Sequence, residues 1–377
     1  MLTVLTERLI RVPKARTLDL TVVQQGSTSR VHFGDAAFDV TSDHDDIGRP
    51  EVFDFALFGT LAVAVRNNWN VRTDLPITEG GLAAARRVVD IFDLWRVRRC
   101  YPVAIEATNL VPAPIHAPRH GGLICLSGGI DSTYAAMKDV AEGRAGHGLL
   151  VAGADYPRAT SPGFVERRGR VALLAEVLGL ELVTAETTIR DHQLYFNATH
   201  TCVLAMMLAY HAKSFRHGII AADFTLAQEY GYSPWGNSRP IVEALGSTWF
   251  PIHHAGGEAG RTAKVRAIVE ADPDLMRAVS VCQKKEIGGN CGTCEKCVRT
   301  KLNLVAAGVD PAPFFEANPN LAEHFAAMTL PNYPAGLRRH MVFLKDLEPT
   351  LDDAALRTVL TKRLDRLRRE ITPTGKA

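Results

Sequence analysis

The apolar positions of the chain change their pattern near residue 120. Beyond this point five short stretches are continuously apolar and rich in Val, Ile and Leu: GGLICLS, HGLLVAGADY, LELVTAET, HGIIAAD and STWFPIHH. Helical patterns such as TYAAMKDVAEG and FVERRGRVALLAEVLG separate the first four. Strands without polar alternation are buried on both faces, and strand–helix alternation is typical of parallel sheets. The pattern predicts an α/β fold with a doubly wound parallel sheet.

The two flanking regions follow other patterns. Residues 1–111 combine strand-like segments, such as LDLTVVQQG and RVHFG, with helical FDFALFGTLAVAVRNN, which predicts an N-terminal α+β domain. The proline-rich LVPAPIHAPRH predicts a linker. Residues 310–377 predict a helical C-terminal region that ends in an exposed amphipathic helix, LRTVLTKRLDRLRRE. The predicted units are therefore 1–111, a central domain at 121–281, a cysteine module at 282–309, and 310–377.

Charge and composition exclude several classes of protein. The 377 residues include 43 Lys and Arg against 41 Asp and Glu, a balance that argues against an extensive nucleic-acid surface. No run reaches the roughly 18 apolar residues of a membrane span, and the first residues lack the pattern of a signal peptide. The sequence predicts a cytoplasmic protein with no membrane contact, and it is compatible with a homodimer.

The first strand of the central domain ends in an unusual turn, SGGIDS, at residues 127–132. In open parallel sheets, ligands bind beyond the carboxyl ends of the strands, and a helix N-terminus there attracts anions. Gly128 and Gly129 let the backbone approach a ligand closely. Asp131 would repel a phosphate unless Mg²⁺ bridged the two. The turn therefore predicts a nucleoside triphosphate site with Mg²⁺; the alternative is an ordinary turn with Asp131 as a helix cap.

The turn resembles the signature loop of the PP-loop ATP pyrophosphatases, whose sheet is of the adenine-nucleotide alpha-hydrolase type. These enzymes cleave ATP between the α and β phosphates, adenylate a carboxylate or carbonyl oxygen, and then let a nucleophile displace AMP. The resemblance implies a loop that binds ATP, the leaving pyrophosphate and Mg²⁺, with Ser127, Asp131 and Ser132 as catalytic residues. The implied loop comprises Leu126, Ser127, Gly128, Gly129, Ile130, Asp131, Ser132 and Thr133.

Further polar residues fall at predicted strand ends or helix starts of the central domain. Arg261 and Lys264 are candidate catalytic cations near the α-phosphate, and Asp155 and Arg158 are candidates for binding the nucleoside. The adjacent pair His253 and His254 is not a metal pair, because neighbours on a strand point to opposite faces. The remaining candidates around the pocket are Tyr156, Asn197, His200 and Asp223.

Four cysteines lie close together at positions 282, 291, 294 and 297, with spacing C-x8-C-x2-C-x2-C. Four thiolates with short spacings suit a closed, structural, tetrahedral Zn²⁺ site. An iron–sulfur cluster and disulfide pairs are the alternatives. We predict that Cys282, Cys291, Cys294 and Cys297 bind zinc.

The cysteine spacing after a PP-loop resembles the 7-cyano-7-deazaguanine synthases, or QueC enzymes, of queuosine biosynthesis. In that family an arginine follows the cysteines, matched here by Arg299. The resemblance covers residues 120–308 and implies an ATP-dependent carbon–nitrogen ligase. Such an enzyme adenylates 7-carboxy-7-deazaguanine or a related acid, releases AMP and pyrophosphate, and uses ammonia to form an amide or nitrile. The N-terminal region is additional, and the family's Tyr-Pro-Asp-Cys stretch is replaced by residues 230–237, which puts the substrate in doubt.

Three other functions stay open at this point. A QueC-like enzyme with an added domain resembles proteins of bacterial antiviral defence, in which the deazaguanine is joined to a protein or peptide acceptor. A PP-loop tRNA sulfurtransferase would need a reactive thiol and a basic surface, and the balanced charge disfavours the surface. A non-catalytic nucleotide sensor would not need the complete loop that is present.

Overall fold

The structure, a computed structural model, describes residues 14–44, 50–97, 100–115, 120–232, 234–282, 284, 289–315 and 320–371. The ends of two predicted units, at 1–13 and 372–377, lie outside the described residues. The strands are β1 Arg16–Gln25, β2 Thr28–Phe33, β3 Ala36–Ser42, β4 Trp69–Thr73, β5 Ile77–Thr78, β6 Ile105–Ala107, β7 Leu110–Val111, β8 His120–Cys125, β9 Ala145–Ala152, β10 Glu181–Thr187, β11 Phe215–Ala221 and β12 Ile252–Ala255. The helices are α1 Asp54–Asn67, α2 Glu79–Leu94, α3 Ile130–Ala141, α4 Pro162–Leu178, α5 Phe196–Tyr210, α6 Leu226–Tyr232, α7 Arg239–Leu245, α8 Arg261–Ala271, α9 Pro273–Ala278, α10 Glu295–Ala306, α11 Leu321–Ala327, α12 Pro334–Leu347 and α13 Ala354–Ile371.

Ten of the strands form one sheet in the order β12-β11-β8-β9-β10-β3-β2-β1-β4-β6. The five strands β8 to β12 pair in parallel with their neighbours. They are the five continuously apolar stretches of the sequence, and helices follow the first four along the chain. The prediction of an α/β protein with a large, mostly parallel central sheet is confirmed at this level.

The order of the parallel strands creates a crevice between β8 and β11. From β8 the chain moves outward through β9 to β10, and it then returns to the other side of β8 to place β11 and β12. Numbered along the chain, the order is 3-2-1-4-5. The strand order reverses between β8 and β11, so the connections that follow these two strands run in opposite directions and leave a crevice between them. In open parallel sheets, ligands bind at the carboxyl ends of such strands.

The N-terminal strands continue the same sheet. Strand β3 pairs antiparallel with β10, with Ser42 opposite Ala185, and β1 to β3 pair antiparallel among themselves. Helix α1 is almost entirely buried and packs on α5. At Gly59 the contact leaves no room for a Cβ, which would lie 2.8 Å from Phe38 Cζ and still closer to Met206. One apolar core thus joins the N-terminal residues to the parallel strands.

The last three helices pack with α10 around a separate apolar cluster. Helix α13 is amphipathic, as its sequence predicts, but it is not wholly exposed, because Leu356, Leu360, Leu364 and Leu367 are buried in that cluster. Among the described residues, no helix combines the length and the apolar character needed to cross a membrane.

Candidate nucleotide and metal sites

The SGGIDS segment comprises the end of the loop after β8 and the first turn of α3, where the sequence predicts the change from strand to helix; Gly129, not Asp131, is the N-cap residue. Gly128 has φ +73°, and a Cβ there would lie 2.7 Å from Val171 Cγ2, so the turn requires a glycine at this position. The hydroxyls of Ser127 and Ser132 lie 3.1 Å apart, and Ser132 Oγ also donates to the Gly129 carbonyl at 3.2 Å. The two hydroxyls are therefore held together at the helix N-terminus, where an anion is favoured.

A cavity of about 470 Å³ opens over this turn at the carboxyl ends of the parallel strands. The predicted residues that line it are Leu126, Ser127, Gly129, Ile130, Asp131, Ser132, Asp155, Tyr156, His200, Asp223, Arg261 and Arg299. The structure thus brings most of the predicted site residues together around one space.

Other predicted residues lie outside the lining. Thr133 is fully buried, and Gly128 faces Val171. Arg158 pairs with Asp191 at 2.6 Å. His253 and His254 diverge, as expected of strand neighbours: His253 contacts the His217 ring, while the side chain of His254 is buried 3.8 Å from a glutamate. Asn197 begins α5 with an exposed side chain and does not line the cavity.

Asp131 forms ion pairs with both predicted cations. Arg261 contacts one carboxylate oxygen, and Lys264 Nζ lies 3.1 Å from the other. Lys264 is fully buried and also donates to the Ala222 carbonyl at 2.6 Å. Burial opposes the ionisation of Asp131, but the two cations outweigh it and lower the pKa of the carboxyl group. The carboxylate is thus already paired with two protein cations, which disfavours direct binding of Mg²⁺ to it.

Positive side chains line one wall of the cavity. Arg261, Lys296, Arg299 and Arg339 come from three different helices. Burial and the neighbouring Arg261 lower the pKa of Arg299 to about 9, so the guanidinium stays charged at neutral pH. The Nε atoms of Arg261 and Arg299 are buried without a hydrogen-bond partner. Since a buried cation with unused donors is costly, this wall fits an anion with several oxygens.

Aromatic side chains also line the cavity and reach the positive wall, where the Arg299 guanidinium lies 3.7 Å from the centre of the Phe343 ring. Trp235 donates its indole N–H to Asp223 Oδ2 at 2.9 Å, and its ring lies 5.2 Å from that of His200. Phe224 stacks on Phe343 with an interplanar angle of 25°. Burial lowers the pKa of His200, although Asp223 acts against this. Flat apolar rings beside a carboxylate suit a planar heterocycle that carries N–H donors.

The four predicted cysteine ligands meet beside the cavity. Their sulfurs all lie within 4.8 Å of one another; those of Cys282 and Cys294 are 3.9 Å apart and those of Cys291 and Cys297 4.0 Å. Thiolates bound at about 2.3 Å to one Zn²⁺ ion would stand roughly 3.8 Å apart at the corners of a tetrahedron. Disulfide sulfurs would be bonded at about 2.05 Å, and a four-iron cluster would hold the thiolates further apart because its atoms lie between them. The group therefore fits a single metal ion.

Local hydrogen bonds favour the thiolate form of Cys291, whereas burial raises the pKa values of Cys282 and Cys297. The backbone amide of Cys294 lies 3.3 Å from Cys291 Sγ. Burial opposes ionisation of Cys291, but hydrogen bonds from Thr293 and Cys294 lower its pKa to about 6. Cys294 also precedes α10, and residues of α10 together with Cys282 line the cavity. A metal at the cysteines would therefore fix one wall of the pocket.

Several lining residues carry no signal in the sequence. Arg339 and Phe343 lie on α12, in the C-terminal region for which only helices were predicted. Arg167 on α4 is buried and donates to the Ser127 carbonyl at 3.2 Å and to the Ser280 carbonyl, which ties the turn to the segment before Cys282. Arginines inside helical patterns are usually exposed to solvent, so the sequence pattern alone does not distinguish Arg167 and Arg339 from the other arginines of the chain.

The chain matches no protein-family model and no curated protein.

Proposed function

We propose that the chain is an ATP-dependent adenylating enzyme of the PP-loop ATP pyrophosphatase type. The observation that carries the proposal is the SGGIDS turn at the strand switch point, facing buried arginines with unused donors. A triphosphate placed over the turn would meet the Ser127 and Ser132 hydroxyls and the N-terminus of α3 on one side. Arg261 and Arg299 would meet it on the other.

In the proposed reaction, a carboxylate oxygen of the substrate attacks the α-phosphorus, and the bond from that phosphorus to the β-bridging oxygen breaks. Negative charge then grows on the leaving pyrophosphate, next to the serine hydroxyls and the arginine wall. Preorganised donors around developing charge lower the barrier without covalent participation of the enzyme. Mg²⁺ bound with the nucleotide would further neutralise the phosphates. Asp131 would hold Arg261 and Lys264 in position.

The proposed acceptor chemistry rests on the resemblance to the QueC enzymes and on the aromatic residues that line the cavity. The proposed substrate is 7-carboxy-7-deazaguanine or a related planar acid, whose ring would lie against Trp235 with Asp223 as a hydrogen-bond acceptor. Ammonia would then attack the acyl carbon, expel AMP and leave an amide. A second ATP would adenylate the amide oxygen, and expulsion of AMP with loss of the N–H protons would leave the nitrile. The cavity opens to solvent, so a protein or peptide could also reach the acyl adenylate. The same experiment tests for this acceptor.

Zinc is the metal that we propose for the cysteine cluster. Four thiolates fill all tetrahedral positions, so the ion would be structural and would not activate water. Cys282, Cys291, Cys294 and Cys297 would hold it, and its effect on catalysis would pass through the start of α10.

The test follows the fate of ATP. The chain is incubated with ATP, ammonia and 7-carboxy-7-deazaguanine, with and without a candidate protein acceptor, and nucleotides and products are identified by chromatography and mass spectrometry. AMP and pyrophosphate together with an amide or nitrile are expected. A deazaguanine mass added to a polypeptide would assign the protein acceptor. ADP and phosphate, or no binding of a nonhydrolysable ATP analogue, would contradict the proposal.

A matched pair of variants on α3 separates chemistry from folding. Asp131 and Asp139 are both carboxylates on this helix paired with arginine, but only Asp131 lines the cavity. Asp131→Asn should lower turnover by about 100-fold or more, since two cations lose their anchor. Asp139→Asn loses its ion pair with Arg144 and should change stability, not the products or their rate. Equal loss of turnover in both variants would assign the effect to folding.

A further inference from the structure

A second group of potential metal ligands lies at the opposite end of the parallel strands. His44 follows β3, His120 is the first residue of β8, and His147 lies near the start of β9. One ring nitrogen from each lies within 4.8 Å of the others. The ring centroids of His120 and His147 are 4.5 Å apart, and that of His44 is 5.7 and 6.0 Å from them. Three imidazoles, two of them on strands and one just after β3, thus lie close together.

The surroundings of His147 point to a ligand. Its side chain is 10% exposed, and its Nε2 atom lies 3.1 Å from Glu181 Oε2 at the start of β10. Both ring nitrogens are buried without an aligned hydrogen bond, so Nδ1 has no partner and Nε2 has only the nearby carboxylate. A carboxylate beside one nitrogen of an imidazole favours the proton there and leaves the lone pair on the other nitrogen. The Phe215 ring, 5.0 Å from that of His147, covers the group on one side.

A buried ring nitrogen without a hydrogen-bond partner is destabilising, and a bound ion would satisfy it. Imidazole nitrogens suit divalent ions such as zinc, cobalt, nickel and copper, whereas Ca²⁺ and Mg²⁺ prefer oxygen ligands. In a tetrahedral zinc site with bonds of about 2.0–2.1 Å, the nitrogens stand roughly 3.3 Å apart. Small rotations of the three side chains would close the present separation.

We propose that His44, His120 and His147 form a second metal site, for a divalent transition ion of the zinc type, with Glu181 positioning His147. The ion would join the end of β3 to the starts of β8 and β9. The N-terminal strands could not then separate from the parallel strands without losing it. The site lies at the opposite strand ends from the cavity, so it would be independent of the proposed reaction, and with three protein ligands a water molecule would fill the fourth position of a tetrahedral ion.

The test counts metal ions in the full, untagged chain. Protein stripped with a chelator under reducing conditions is titrated with Zn²⁺ and with Co²⁺, and bound ions are counted by native mass spectrometry. Two ions per chain are expected, only one of them giving the thiolate-to-cobalt absorption band of the cysteines. A single ion per wild-type chain, bound by the cysteines, would overturn the proposal.

Variants assign the second ion. The double variant His44→Gln/His120→Gln should bind one ion and keep the thiolate band, which also reports that it is folded. The control His32→Gln, on the neighbouring strand β2, should bind two. The proposal fails if the double variant binds as many ions as the wild type. Glu181→Gln should keep two ions but weaken the second by roughly 10- to 100-fold, and an unchanged affinity would remove the positioning role of Glu181.

Discussion

The parallel strands β8–β12 and the antiparallel strands β1–β3 belong to one sheet, yet they differ in burial and in chemistry. In β8 and β9 the central positions are buried without interruption, whereas in β2 and β3, and in β10 next to them, buried positions mostly alternate with partly exposed or exposed ones. The described residues that line the cavity lie between Cys125 and Phe343. The cavity is therefore built from the parallel strands and the segments that follow them, whereas strands β1–β3 extend the sheet and its apolar core.

The difference has a topological origin. Parallel strands all place their carboxyl ends at one edge, so the loops that follow them gather there, and the reversal of strand order leaves a crevice. Antiparallel strands joined by tight turns send successive ends to opposite edges and gather no such set of loops. Functional loss is therefore expected from changes at the cavity edge, and loss of stability alone from changes beneath β1–β3.

Removal of the cysteine-bound metal should have the largest effect. Cys294→Ser would release the ion and loosen the start of α10, which lines the cavity. We expect a loss of more than about 3 kcal/mol in the free energy of unfolding, together with weaker ATP binding, because metal binding contributes directly to folding. Thermal unfolding, elemental analysis and nucleotide titration measure these effects. Cys100→Ala, at a cysteine outside the cluster, is the control; an equal effect there would contradict a special role for the cluster.

Much of this parallel region could be predicted from the sequence. The five apolar stretches have the length and composition of doubly buried strands, and SGGIDS and the four cysteines are local signals with fixed spacing. The N-terminal strands were harder to predict. Strand β3, with the sequence AAFDVTS, mixes small and polar residues, and it becomes a strand because it pairs with β2 and β10.

The partners within the site could not be predicted, because they come together only through the fold. Asp131 was expected to face a metal ion, and nothing local to it indicates that Arg261 and Lys264, about 130 residues away, occupy both of its oxygens. Arg339 reaches the cavity only because α12 packs against α6 and α8. Such long-range contacts leave no periodic trace in a single sequence.

Loss of a cavity arginine is expected to be the next largest effect. Arg299→Met removes a buried guanidinium with an unused Nε donor, while its apolar stem and contact with the Phe343 ring are largely replaced. A hydrogen bond to a charged group contributes about 1.5–3 kcal/mol, so ATP affinity should fall about 10- to 100-fold. Arg158→Met is the matched control: its guanidinium pairs with Asp191 outside the cavity, and affinity should change less than about twofold. Calorimetric titration distinguishes the two, and equal losses would move the nucleotide towards Arg158.

The support beneath β1–β3 is tested at Gly59. Gly59→Val would force side-chain atoms into Met206 and Phe38, and overpacking of this kind costs about 1–3 kcal/mol. Chemical denaturation should show this loss, while the KM for ATP stays at the wild-type value. Gly169→Val on α4 is the control, because a Cβ there meets nothing within 4 Å. A raised KM in Gly59→Val would show that the N-terminal part shapes the cavity, and the comparison of the two parts would fail.

The smallest effect concerns pH and His254 on β12. Burial, followed by the nearby Lys264 and Arg239, lowers the pKa of His254 to about 4, whereas an unfolded histidine titrates near 6.5. Between these values the unfolded chain binds the extra proton, so this contribution to stability is complete above pH 6.5 and falls as the pH decreases towards 4. By pH 5.5 the loss is about 1.4 kcal/mol. His254→Gln should remove this slope from denaturation curves recorded between pH 7 and 5.5, whereas His253→Gln, at an exposed side chain, should keep it. An unchanged slope in His254→Gln would mean that the folded protein does not hold the His254 imidazole in its neutral form. The burial that distinguishes the parallel strands would then be weaker at β12.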